Sequence, residues 1–159
     1  MTRLRVGCCQ FQVTPGAVES NLRTVQKAME DLAGGGCRLL VLPEMWSSGF
    51  DYGSLVDRAR ETPGVLARLA EWAARLQVMI VGSLPELGDG VVYNTSYLVD
   101  PKGEAIGRYR KIHLFGLHGE DRYFGRGREA VVCETELGKI GLLTCYDLRF
   151  PELARKLAL

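Results

Sequence analysis

Leu39-Leu40-Val41-Leu42-Pro43-Glu44 is a short apolar run stopped by proline and followed at once by a carboxylate. Four apolar residues without alternation predict a strand covered on both faces, as in sheets layered with helices, and Pro43 closes it. Upstream, Val18, Leu22, Val25, Met29 and Leu32 recur at helical spacing until Gly34-Gly35-Gly36 ends the pattern, so an amphipathic helix precedes the run. Before that helix, Leu4 to Val13 reads as a first strand. Downstream, a second helix is expected to open at Thr62-Pro63-Gly64, with Leu66, Leu69, Ala70, Ala73 and Leu76 on one side. Val78 to Val81 is a further apolar run, giving the order strand, helix, strand, helix, strand.

Beyond it the rhythm changes. Val91 to Val99 and Glu104 to Tyr109 alternate loosely around the turn sequence Asp100-Pro101-Lys102-Gly103, which predicts a hairpin. A second hairpin is expected to join Ala130–Thr135 to Lys139–Thr144 across Leu137-Gly138, and a last helix to start near Phe150-Pro151. Helices between early strands and hairpins later predict an α+β (α/β mixed-sheet) fold layered with helices. No internal repeat, linker or low-complexity tract interrupts it. The last helix is still apolar at Leu153, Leu157 and Leu159 and carries no cap signal, so the chain is expected to be a single domain over 1–159, cut rather than finished.

Composition narrows the function. A length of 159 residues fits one domain of roughly 150. With 25% charged and 47% apolar residues the chain is expected to fold around a core. A formal charge of +1 is too small for a binding mode that neutralises many phosphates, so no nucleic acid is expected as partner. Arginines and aromatics do interleave between Arg108 and Arg128, but Glu120, Asp121 and Glu129 break the basic run. The opening Met1 to Cys8 lacks the apolar core of a secretory signal and no run approaches the ~18 residues of a membrane span, so a cytoplasmic protein with no membrane partner is expected. Five cysteines at irregular spacing read as reduced thiols. His113 and His118 are the only histidines and Cys8-Cys9 matches no ligand spacing, so no metal site is expected. Gly125-Arg126-Gly127 reads as a turn, and the sequon Asn94-Thr95-Ser96 as strand sequence.

Three residues can carry chemistry. Cys145 follows the apolar run Gly141 to Thr144 and precedes Tyr146-Asp147 and a helix, which puts its thiol at a strand-to-helix turn with a backbone N–H free to bind an oxyanion. Glu44 sits at the mouth of a strand, where open sheets display functional groups. Lys111 lies in the strand-like Tyr109-Arg110-Lys111-Ile112-His113-Leu114-Phe115. Each has a structural reading as well: a small buried thiol, a loop carboxylate, an edge-strand lysine. Together they form a set for acyl transfer, in which a carboxylate takes the thiol proton, the thiolate attacks an amide or nitrile carbon and the ammonium stabilises developing negative charge. The ammonium would also favour the thiolate.

The segments Leu42-Pro43-Glu44-Met45-Trp46-Ser47-Ser48-Gly49-Phe50, Tyr109 to Phe115, and Leu143-Thr144-Cys145-Tyr146-Asp147-Leu148-Arg149-Phe150-Pro151-Glu152 resemble, in the same order, the three signature segments of the nitrilase superfamily of carbon-nitrogen hydrolases. Asn94 to Gly103 resembles the hairpin before the family lysine, and Gln10 the glutamine ending its first strand. The resemblance implies a four-layer αββα sandwich, here incomplete at the C-terminus, and a Glu-Lys-Cys triad at Glu44, Lys111 and Cys145 that works without cofactor or metal. It further implies Glu120 as a second catalytic glutamate, and the backbone N–H of Tyr146 beside Lys111 as oxyanion donors. The wording of the first and third segments is similar to the omega-amidase-like branch, which implies a small, anionic amide substrate, with Arg149 or Arg122 as the cation that binds it. A true nitrilase is the neighbouring alternative, and a catalytically impaired fragment that self-associates the non-enzymatic one. A complete domain of this family would be expected to form a homo-oligomer, a dimer.

Overall fold

The computed structural model describes residues 3–159, so Met1 and Thr2 of the opening segment lie outside the described residues. Strands β1 (Val6–Cys8), β2 (Leu39–Val41) and β3 (Met79–Gly88) run parallel, with Val6 opposite Leu39 and Leu39 opposite Met79. Parallel neighbours need crossovers, and helices α1 (Val18–Gly34) and α2 (Leu55–Leu76) supply them. From β3 onward the sheet is antiparallel through β4 (Val91–Val99) and β5 (Ala105–Arg110), with the short β6 (Phe124–Gly125) beside β4. Strands β7 (Val131–Thr135) and β8 (Gly138–Leu142) form a separate hairpin, and helices α3 (Glu120–Tyr123) and α4 (Pro151–Ala158) complete the chain.

Two apolar clusters set the layers. Leu22, Val25 and Met29 of α1 and Leu69, Trp72 and Ala73 of α2 pack on Leu40, Ile80, Leu84 and Val99. On the opposite face Met79, Leu98 and Tyr109 meet Cys133 and Leu142 of the hairpin and Leu153 of α4. Each fully buried Leu or Ile contributes about 1.5–3 kcal/mol. The resulting order is helices, sheet, hairpin, helix, the expected four-layer arrangement. Gly107 allows it, because a side chain there would run into Cys133 Sγ where β5 lies against β7. The apolar run at residues 39–42 is covered on both faces, Leu40 by the helices and Leu39 by the second cluster.

Two expectations need correction, and one hairpin is added. The first strand is only Val6–Cys8; the Cys9 N–H still donates to Val41 O (2.8 Å), after which the chain leaves the sheet. Helix α2 starts at Leu55, not Thr62, and runs through Pro63, because Leu55, Ala59 and Thr62 extend the buried stripe backward. That continuous apolar face outweighs the one hydrogen bond a proline removes. A hairpin joins β3 to β4 through Asp89 and Gly90, both left-handed (φ 54° and 76°), as a two-residue turn of this kind requires.

Candidate active site

Four segments bring the site together. Glu44 follows β2 in a turn where Met45 takes a left-handed φ of 51° and donates its N–H to Ser83 Oγ (2.9 Å), while Trp46 is fully buried beneath. Lys111 continues β5 by one residue, its N–H on Asn94 O (2.8 Å) and its own carbonyl accepting from Gly127 N–H (2.8 Å). Glu120 opens α3 after Gly119, whose positive φ turns the chain. Cys145 has a left-handed φ of 47° and begins a short 3-10 helix, Cys145–Arg149, capped reciprocally by Thr144 and Asp147.

At their meeting point the Lys111 ammonium, 1% exposed, lies 2.7 Å from Glu44 Oε1 and 3.0 and 2.8 Å from the two Glu120 oxygens. Asn94 Nδ2 donates to Glu44 Oε1 (2.8 Å) and Glu120 Oε1 (3.0 Å), and Phe115 N–H donates to Glu120 Oε2 (2.7 Å). Removing an ammonium from water is costly unless carboxylates and hydrogen bonds compensate. Here burial pulls the Lys111 pKa down, but the two glutamates more than reverse it, and the net shift is upward. Lys111 is therefore charged.

The Cys145 thiol is pushed above its ordinary value by burial first, then by the Glu44 charge and a hydrogen bond to Glu44, with Lys111 pulling weakly the other way. The expected thiolate-favouring pull of the lysine exists but loses. The sulfur thus rests as a neutral thiol beside a carboxylate able to take its proton.

Glu44, Lys111, Glu120 and Cys145 share a cavity of about 410 Å³, walled by Phe50, Tyr52, Phe115 and His118. The four candidate catalytic side chains are brought together; the candidate substrate-binding residues are not. Tyr146 turns its ring onto Phe115 (4.9 Å between centroids) and Phe150 (5.3 Å) outside the lining. Its backbone N–H lies in a first helical turn, where N–H groups have no intrahelical partner. Arg149 and Arg122 are exposed and neither lines the cavity, so among the described residues the only arginine or lysine on its wall is Lys111. Among the described residues no group of three or more His, Cys, Asp or Glu is placed to hold a metal ion. Sequence reasoning missed Asn94, which clamps both glutamates, and Asp147. The Thr144-x-x-Asp147 spacing could have revealed the second as a capping box; nothing in sequence spacing marks the first.

The profile of the carbon-nitrogen hydrolase family matches residues 5–159. The chain belongs to the carbon-nitrogen hydrolase family. Among its curated relatives, a chloroplastic omega-amidase of Arabidopsis thaliana is 33% identical over 97% of this chain and 45% of its own length. A 2-oxoglutaramate amidase of Bacillus subtilis is 36% identical over 95% of this chain and 59% of its own. In structure, this carbon-nitrogen hydrolase chain is similar to a variant of the amidase from Nesterenkonia sp. AN1, which shows covalent addition of the acetamide moiety of fluoroacetamide at its active-site cysteine. The TM-score is 0.87 at 27% identity, covering 96% of this chain and 59% of that one. The family expected from the three sequence segments and the mixed-sheet fold expected from the order of helices and hairpins are both met. The chain spans about half the length of the curated relatives it matches.

Proposed function

We propose that the protein is an amidase that hydrolyses the terminal amide of a small dicarboxylic acid monoamide through a thioester on Cys145. The observation that carries this reading is the fully buried Lys111 ammonium held by two glutamates on the wall of a cavity that also exposes Cys145. Glu44 takes the thiol proton as sulfur attacks the amide carbon, forming the C–S bond, while Lys111 and the Tyr146 N–H stabilise the oxyanion. Glu44 returns the proton to nitrogen as the C–N bond breaks and ammonia leaves. Water, deprotonated by Glu44, then attacks the thioester and yields the carboxylic acid and free thiol.

Glu120 holds Lys111 and, through Asn94, the orientation of Glu44. The cavity volume suits a small ligand, and two relatives are omega- and oxoglutaramate amidases. We read residues 1–159 as part of one domain of this family, a reading supported by the unbroken profile match. Five free cysteines support a reducing, cytoplasmic setting.

The test is ammonia release from succinamate and glutaramate, with neutral propanamide beside them. Turnover of the anionic amides, abolished in Cys145→Ala, is expected. Equal turnover by Cys145→Ala would end the thiol mechanism, and preference for propanamide would end the assignment of an anionic substrate.

A further inference from the structure

Behind the cavity lies a second cluster of titratable side chains that the proposed chemistry leaves unused. Asp147, fully buried, accepts four hydrogen bonds. Its Oδ1 takes the His113 N–H (2.9 Å) and His113 Nδ1 (2.8 Å); its Oδ2 takes the Tyr109 hydroxyl (2.7 Å) and the Thr144 N–H (3.0 Å). A carboxylate only accepts, so Nδ1 carries the proton. The His113 ring lies flat on Phe150, 3.6 Å between centroids at 7°. Tyr109, also fully buried, accepts the Ile112 N–H (3.3 Å). Burial, reinforced by Asp147, drives its phenol far above the ordinary range, so it remains a donor.

Position gives this cluster its meaning. Tyr109 and His113 stand two residues to either side of Lys111, and Asp147 stands two residues beyond Cys145. One carboxylate therefore grips both flanks of the lysine from within the turn that carries the sulfur. That turn also holds Cys145 at a left-handed φ of 47°, a conformation that costs roughly 1–3 kcal/mol and persists only when the surroundings impose it.

We propose that Asp147, His113 and Tyr109 are positioning residues, a latch that fixes the Cys145 sulfur against the Lys111 ammonium. The proposal rests on the amidase reading for its kinetic expression. With the latch loosened, the turn relaxes toward ordinary backbone and the sulfur leaves its place in the cavity it shares with Glu44 and Lys111. The wall residues Phe50, Tyr52, Phe115 and His118 are not themselves replaced, so the loss falls mainly on kcat rather than KM.

The experiment compares His113→Ala, His113→Asn and Tyr109→Phe with the parent protein. It measures kcat and KM for ammonia release per alkylatable Cys145, the rate of Cys145 alkylation by iodoacetamide read by peptide mass spectrometry, and Tm. His113→Ala is expected to lose about tenfold or more in kcat with KM within about twofold. His113→Asn, which keeps a donor near Nδ1, should recover most of the loss; Tyr109→Phe should fall between, and alkylation rates should shift in parallel. Reduced Tm with unchanged kcat per reactive thiol and unchanged alkylation would overturn the latch, as would an Asn variant no better than Ala. If His113→Ala does not fold, Tyr109→Phe decides by the same readouts. Should the parent release no ammonia, the amidase reading fails while the alkylation rates still decide the latch.

Discussion

The Cys145 thiol is held protonated by burial and by the Glu44 carboxylate, with its pKa above the ordinary value. Its alkylation by iodoacetamide should therefore keep rising with pH past the point where an ordinary free thiol levels off, because the reactive thiolate appears only there. Glu44→Gln removes the charge that opposes the thiolate, so the midpoint should move to lower pH even as ammonia release falls about 10²–10⁴-fold. A midpoint that stays in place would show that Glu44 does not touch the sulfur. Lys111 makes a different prediction. Replacing it with Met leaves Glu44 and Glu120 facing each other without their cation, and breaking a buried pair in this way costs about 3–5 kcal/mol, measurable by urea unfolding. Glu44, Lys111 and Cys145 were legible in sequence because each sits in a distinctive run of neighbours. Asn94 was not, since its role depends on two glutamates that only the fold brings to it.

Strands and helices were legible wherever one apolar pattern decided them. The stripe from Val18 to Leu32 and the hairpin around Asp100 to Gly103 stand where they were expected. The start of α2 was hidden because Pro63 looks like a helix opening, yet the buried face runs straight past it. The β3–β4 hairpin was hidden in part by Pro85, which argues against a strand interior. In the fold β2 ends at Val41, opposite Val81, so the missing N–H of Pro85 interrupts no pairing with β2. Gly82 of β3 ties this sheet to the site: a Cβ there would come within 2.8 Å of Leu42 Cβ and 2.9 Å of Trp46 Cδ1. Gly82→Ala should therefore push out the turn that carries Glu44, costing about 1–3 kcal/mol of stability. Ammonia release should fall with it, while a fully active variant would show that the turn absorbs the methyl group without moving Glu44.

Across the whole molecule, the near-balance of 20 basic and 19 acidic residues leaves little field to attract polyanions. The protein should pass through a DNA–cellulose column at moderate salt without retention beyond that of a neutral control. The arginines nearest a continuous basic surface are partly consumed: Arg108 and Arg110 both pair with Glu86, and Arg110 also lies over Tyr93. No helix among the described residues is long and apolar enough to cross a membrane.

The site is assembled from distant stretches, and their order along the chain has a consequence for synthesis. Glu44, Asn94, Lys111 and Glu120 all precede the hairpin β7–β8, whereas Cys145 follows it. As the polypeptide leaves the ribosome, the ammonium and its carboxylates can find one another first. Of these five residues Cys145 is therefore the last to be made, so the nucleophile meets its lysine only when the carboxylates that hold that lysine are already on the chain.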